Sequence, residues 1–286
     1  MAVCKVCFRH CSLKEGETGF CGARTCVNGR VVARNYGKIT ALALDPIEKK
    51  PLRRFHPGSW ILSVGSYGCN LRCPFCQNSG ISWSEDAWTF AKRAEELSPE
   101  KLADLAESLR NRRNIGAAFT YNEPLIGYEY VRDAAKLLHE RDMKTVLVTN
   151  GTSELAVLEE LAPYIDAMNI DLKGFSDHYY NEVLQGSRRM VMEFIARAVQ
   201  FCHVELTTLI VTGENDGLEE MERLTRWIAE LTDTEGRVIG SRIPLHLSRF
   251  FPQFRMTDRP ATDIGRLFQL AEKAKERLEF VYVGNV

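Results

Sequence analysis

The sequence predicts an α/β fold: a partial (β/α)6 barrel preceded by a small amino-terminal metal-binding extension. Three observations carry that expectation. From Trp60 onward, short apolar runs alternate with helical periods six times in succession, and strand–helix alternation in series builds a parallel sheet through right-handed crossovers. The length of residues 59–286 suits a closed or nearly closed barrel better than a doubly wound sheet. Five of the nine cysteines fall in the first 26 residues, a stretch without a long helical period and too short to bury much core without a staple. We therefore divide the chain into a Cys-rich metal-binding extension, 1–58, and a barrel, 59–286.

Within the extension, residues 29–44 read as two strands about a turn at Tyr36-Gly37-Lys38, and 46–59 as a polar connector. Its basic run KKPLRR (49–54) reads as solvated, with a docking patch for an acidic partner or electron donor as the alternative. The barrel opens with WILSVGS (60–66). Ser98 is placed to cap a helix with Pro99 at its first position, and Leu102, Leu105 and Leu109 share one face. Strands follow at GAAFTY (116–121), KTVLVTN (144–150), AMNIDL (167–172), VELTTLIV (204–211) and RIPLHLS (242–248). Helical periods separate them at 131–142, 154–165, 192–201 and 218–231. A last helix at 263–278 leads to FVYVG (280–284), a candidate seventh strand.

Hydrophobic residues at 45% and charged residues at 26% describe an ordinary globular chain. Lys plus Arg number 37 against 38 for Asp plus Glu, so no long-range field draws the protein to nucleic acid or an anionic membrane. The amino end, MAVCKVCFRH, lacks the apolar core of a secretory signal, and no apolar run approaches the ~18 residues of a membrane span. The expected compartment is the cytoplasm, where clustered cysteines point to metal rather than disulfides.

Cys69, Cys73 and Cys76 follow the first barrel strand at spacing C-x3-C-x2-C. A tight loop, with Gly68 giving backbone freedom, can wrap three thiolates over three corners of an iron–sulfur cube and leave the fourth iron open. The alternative is a zinc site completed by a distant ligand. Active groups of a barrel sit at the carboxyl ends of its strands, which selects Asn122 and Glu123, Thr149 and Asn150, Asp171 and Lys173, and His246 with Ser248 and Arg249. Each has a plainer reading. Glu123 suits a helix start, Asn150-Gly151 a turn, Asp171 and Lys173 an ion pair, and His246 a satisfied core histidine. Thr207, Val211 and Cys202 read as packing. At the amino end, Cys4, Cys7, Cys11 and Cys21 in the pattern C-x2-C-x3-C-x9-C suffice for zinc or a second cluster, with Cys26 spare or, with His10, an alternate.

The C-x3-C-x2-C loop, with Phe75 before its last cysteine, resembles the signature of the radical S-adenosylmethionine (SAM) enzymes. That resemblance implies a [4Fe-4S] cluster on Cys69, Cys73 and Cys76, SAM chelated to the open iron, and Phe75 near the adenine. It also implies one-electron cleavage of SAM to a 5'-deoxyadenosyl radical. Glu123 and Pro124 match the end of the superfamily's Gly-Gly-Glu-Pro motif, while Tyr121 and Asn122 stand where it has glycines. Asp171-Leu172-Lys173 resembles the corresponding stretch of glycyl-radical-enzyme activases, where these residues lie by SAM; Asn150 and His246 are further candidates to surround it. Taken with GETGFCGAR, VTNG, HLSRFFP, PAT and YVGNV, the chain resembles the radical SAM component of the AmmeMemoRadiSam system, a pyruvate formate-lyase activating enzyme-like branch, nearly end to end. The implied activity is an oxidoreductase fed by a low-potential donor such as flavodoxin or ferredoxin, acting on a protein partner. Radical modification of a small molecule or peptide is the alternative; a non-catalytic iron–sulfur or zinc scaffold or electron carrier is a third class. The substrate stays open.

Overall fold

The computed structural model describes residues 1–286, the side chain of Phe90 excepted. Eight strands form one sheet: β1 (Ala41–Pro46), β2 (Trp60–Gly65), β3 (Asn114–Phe119), β4 (Lys144–Thr149), β5 (Ala167–Asp171), β6 (His203–Ile210), β7 (Leu245–Arg249) and β8 (Val281–Gly284). They lie side by side in chain order. β2 to β8 are parallel, and β1 runs antiparallel to β2. The sheet does not close between β1 and β8, so it is the expected partial, TIM-like barrel with a seventh parallel strand and an antiparallel edge.

Helices α1 (Pro99–Ser108), α2 (Tyr128–Glu140), α3 (Leu155–Leu161), α4 (Arg188–Ala198), α5 (Leu218–Ala229) and α6 (Ile264–Lys275) return the chain between strands. Ser98 caps α1 by accepting the Lys101 amide at 3.3 Å, and Leu102, Ala103 and Ala106 are buried from it. Among the described residues no helix is long and apolar enough to cross a membrane. The β2–β3 register slips between Trp60 and Leu62. The Asn114 side chain fills the gap, accepting the Leu62 amide at 2.9 Å and donating to the Ala106 carbonyl at 2.8 Å, so the slip does not leave the Leu62 amide orphaned.

Two expectations about the extension are corrected. Residues 29–44 do not form a hairpin: Arg30–Ala33 folds back on Arg24–Val27, Lys38–Ile39 pairs with Glu95–Glu96, and β1 joins the barrel sheet. β1 therefore pairs outside the small Cys-rich layer. The connector is not solvated either. Ile47 and Leu52 are fully buried with Ile61, Ala118, Val146 and Ala167, so it plugs the barrel. Lys50 is buried against Asp45 at 3.1 Å, and Pro51 accepts from Asn169 at 2.9 Å.

The plug is latched by Glu205, fully buried on β6. It accepts the Arg53 and Arg54 amides at 3.0 and 2.7 Å and pairs with His203 at 3.0 Å and His246 at 2.6 Å. Burial alone would raise its pKa, but the two histidines and two amides prevail and lower it to about 2 from the ordinary 4.5. A carboxyl depressed on folding stabilises above its unfolded pKa and loses that contribution as pH falls toward the folded value. Glu205→Gln is expected to lower stability at pH 7 by about 3 kcal/mol and to flatten the loss of stability between about pH 5 and pH 2. Urea midpoints across that range check it, and a variant that tracks wild type contradicts it.

Candidate cofactor site at the carboxyl ends of the strands

β2 delivers the three-cysteine loop, and two neighbours fix its first turn. Gly68 adopts φ +94°, a conformation that side chains rarely take, and a Cβ there would lie 2.6 Å from the Cys21 carbonyl oxygen. That carbonyl accepts the Cys69 amide at 3.2 Å. From the other side the Asn122 side chain accepts the Ser66 amide at 3.0 Å and donates to the Tyr67 and Gly68 carbonyls at 3.2 Å. Asn122 thus holds the loop in shape, and its amide is committed to backbone. Tyr121 keeps a glycine-like φ of +73°, pinned by its hydroxyl donating to Asp45 at 2.9 Å.

The other candidates gather around the thiols. Glu123 is buried and ties two strand ends together, accepting the Leu125 amide at 3.0 Å, the Thr149 hydroxyl at 2.7 Å and the Asn150 amide at 2.8 Å. Burial pushes its carboxyl up to about 7 against those three donors. Asn150 turns its side-chain amide to Asn70 at 3.0 Å and to the Cys69 sulfur at 3.8 Å, and the Leu71 amide points at the same sulfur from 3.4 Å. Lys173 pairs with Asp171 at 2.7 Å. Burial raises the Cys73 thiol to about 12, with the Lys173 ammonium pulling the other way. Phe75 is buried edge-on to Phe250, 6.3 Å between ring centres. The segment after β7 straps the loop down, Gln253 donating to the Phe75 carbonyl at 2.7 Å and Arg255 to that of Pro74 at 2.9 Å.

This donor set fits an iron–sulfur cluster. Three thiols share one loop, N–H donors aim at a sulfur, and a cation lies beside Cys73. Tyr179, buried near Cys73, has a hydroxyl with no partner in the protein among the described residues. An orphaned buried donor costs about 1–3 kcal/mol, and a bound nucleoside would relieve it.

One expectation is displaced. His246 sits one residue into β7, level with Thr207, and its ring is held by Glu205 and packed 5.1 Å from Tyr282. It belongs to the plug's latch in the amino-terminal half of the barrel rather than to the mouth. Thr207 donates to Asn169 at 2.9 Å, Val211 is buried, and Cys202 bonds the Ala198 carbonyl at 3.6 Å. Arg249 donates to the Thr262 carbonyl at 2.7 Å, and Ser248 accepts from Asn285 at 2.8 Å. Sequence reasoning missed Asn70, Tyr179 and the arginines Arg9 and Arg72. Asn70 and Arg72 carried a signal, both lying between Cys69 and Cys73.

Cys4, Cys7, Cys11 and Cys21 line one small pocket of about 10 Å³ with Val6, Arg9, Gly19, Arg24 and Ile126. Cys26 lies outside it with its thiol 3.8 Å from Glu15, and His10 pairs with Glu154 at 2.7 Å. The layer carrying these cysteines docks on the β4 loop through the Val6 carbonyl and the Glu154 amide, 2.9 Å apart.

Residues 63–228 match the family model described as the radical SAM superfamily. The chain is 38% identical over 287 residues to the uncharacterized protein MJ0808 of Methanocaldococcus jannaschii, covering 99% of this chain and 81% of that one. It is 26% identical over 222 residues to the pyruvate formate-lyase-activating enzyme of Clostridium pasteurianum, covering 74% of this chain and 89% of that one. Streptococcus suis SuiB bound to S-adenosylmethionine has a similar fold, with a TM-score of 0.56 at 14% identity over 76% of this chain and 48% of that one.

Gly68→Ala adds a Cβ where the Cys21 carbonyl leaves no room, while at Gly80 nothing lies within 4 Å. Gly68→Ala is expected to cost at least about 2 kcal/mol and to lower the iron bound on anaerobic reconstitution; Gly80→Ala should leave both unchanged. Thermal melts and iron assays check this, and equal behaviour of the two variants contradicts it.

Proposed function

The chain belongs to the radical SAM superfamily, and from that premise we propose that it is a SAM-cleaving enzyme of activase type that abstracts hydrogen from a protein partner to leave a glycyl radical. The observation that carries this reading is the three-thiol loop held rigid among Glu123, Asn150, Asp171 and Lys173 at one end of the barrel. When bound, a [4Fe-4S] cluster and SAM supply the hard chemistry, an electron and a 5'-deoxyadenosyl radical.

The protein's share is binding, orientation and exclusion of water. Cys69, Cys73 and Cys76 would supply the thiolates, with Cys73 buried and Cys69 and Cys76 partly exposed. Lys173, kept charged by Asp171, offers an ammonium to the anionic cluster and to a ligand carboxylate. Glu123 acts indirectly, since its oxygens hold the ends of β3 and β4 in register for a ligand between them. Phe75 and Phe250 give an apolar wall for an adenine. The likeness to a pyruvate formate-lyase-activating enzyme over 74% of the chain favours a protein target, with flavodoxin or ferredoxin as donor.

Anaerobically reconstituted protein given SAM and a chemical reductant is expected to form 5'-deoxyadenosine, read by chromatography. Cys73→Ala should form none, and Lys173→Met should be slowed about 10- to 100-fold, the loss of one charge-assisted contact. A partner-borne radical in the electron paramagnetic resonance spectrum supports the activase. Repeated turnover of a small molecule or peptide supports radical modification instead, and no 5'-deoxyadenosine from wild type refutes the reading.

A further inference from the structure

We propose that Asn150 raises the reduction potential of the loop cluster: its side-chain amide, clamped by Asn70 and Thr152, donates to the Cys69 sulfur and favours the reduced, more anionic state. This deepens the function proposed above and rests on a cluster bound at Cys69, Cys73 and Cys76.

Three side chains close a ring of hydrogen bonds beside the loop. Asn150 Nδ2 donates to Asn70 Oδ1 at 3.0 Å, Asn70 Nδ2 donates to Thr152 Oγ1 at 2.9 Å, and the Thr152 hydroxyl donates back to Asn150 Oδ1. A backbone contact settles which way the Asn150 amide faces. The Thr152 N–H can only donate, and it reaches Asn150 Oδ1 at 2.9 Å. The nitrogen therefore faces the other way, with one hydrogen for Asn70 and the second for the Cys69 Sγ, 3.8 Å away. The main chain is anchored as well, the Asn150 amide donating to Glu123 at 2.8 Å. Asn70, Asn150 and Thr152 are all buried, so water does not compete for these groups. With its oxygen taken by Thr152 and both hydrogens spent on Asn70 and Cys69, the side chain has nothing left for a ligand.

Hydrogen bonds to ligand sulfurs are among the levers on a cluster's potential, because a donor draws electron density from the thiolate. Reduction takes a [4Fe-4S] core from 2+ to 1+ by one electron and no proton, as a low-potential one-electron donor is oxidised by one electron. The Cys69 sulfur is then more negative, so the Asn150 contact is stronger in the reduced state than in the oxidised one. A contact that favours the reduced state raises the potential. Burial enlarges the effect, since the N–H dipole is weakly screened there. The Leu71 amide, 3.4 Å from the same sulfur, belongs to the backbone and survives any side-chain change. Asn150 is therefore the half of this pair that sequence can adjust.

Wild type and Asn150→Leu are reconstituted anaerobically with iron and sulfide and titrated with chemical reductant in the absence of SAM, the reduced cluster being read by electron paramagnetic resonance. Leucine keeps the side chain's size and removes the donor. The variant is expected to be about tenfold harder to reduce, a midpoint ~59 mV more negative for one electron. Iron-loaded variant with the potential of wild type overturns the inference, and weaker SAM binding at that unchanged potential would make Asn150 a ligand contact instead. Should Asn150→Leu take up no iron, wild type labelled with 15N at its asparagine side chains decides. The amides of Asn70 and Asn122 are given to oxygen, so a 15N coupling to the reduced cluster is expected from Asn150, and its absence overturns the inference. Wild type that takes up no iron overturns this inference and the proposed function together. A shifted potential with no 5'-deoxyadenosine from SAM and reductant refutes the proposed function and leaves the role of Asn150 standing.

Discussion

Three thiols on a single loop can present a cluster only if the loop's backbone is held from outside, because the ligands themselves supply no second anchor. Here the hold is a pair of contacts on one turn. The Asn122 amide closes on Ser66, Tyr67 and Gly68, and the Cys21 carbonyl takes the Cys69 amide. The first contact makes the loop answer to β3, the second to the amino-terminal layer. The turn at this end of the barrel is fixed by hydrogen bonds to its backbone and by the close packing of Gly68 against Cys21, Ala23 and Ile126.

The two ends of the barrel divide the labour. The amino end is sealed by the connector, with Ile47 and Leu52 inside and Glu205 fastening Arg53, Arg54, His203 and His246. The carboxyl end is left polar and convergent. Asp45 joins them, bonding Lys50 in the plug, Ser63 on β2 and Tyr121 at the start of the Asn122 turn. Burial opposes its ionisation, but the Tyr121 hydroxyl and Lys50 ammonium hold it well below the usual carboxylate range. A left-handed tyrosine is held in place this way, its strain offset by a buried charge-assisted hydrogen bond.

Much of this was legible in the sequence because it is local. Strand ends fell within a residue or three of those expected, Ser98 and Pro99 start α1 as capping chemistry dictates, and the cysteine spacing marked the loop. What was not legible depends on pairing over distance. Arg30–Ala33 turns back on Arg24–Val27, and Ile39 meets Glu95 across 56 residues; nothing in residues 29–44 encodes those partners. A basic connector reads as solvated until Glu205, some 150 positions on, is seen to accept its amides. The same carboxylate explains His246, whose strand position alone left it as plausible at the mouth as in the latch. Asn122 lies where expected, and its side chain grips the backbone of Ser66, Tyr67 and Gly68.

The central claim is that the loop leaves one iron unclaimed by the polypeptide and open to the methionine end of SAM. Electron–nuclear double resonance on the reduced protein, with SAM labelled by 15N at its amino group and 17O at its carboxylate, tests that claim most directly. The account predicts hyperfine coupling from both labels to the cluster on Cys69, Cys73 and Cys76. Absence of both couplings, with a protein side chain bound at the fourth iron, would contradict it.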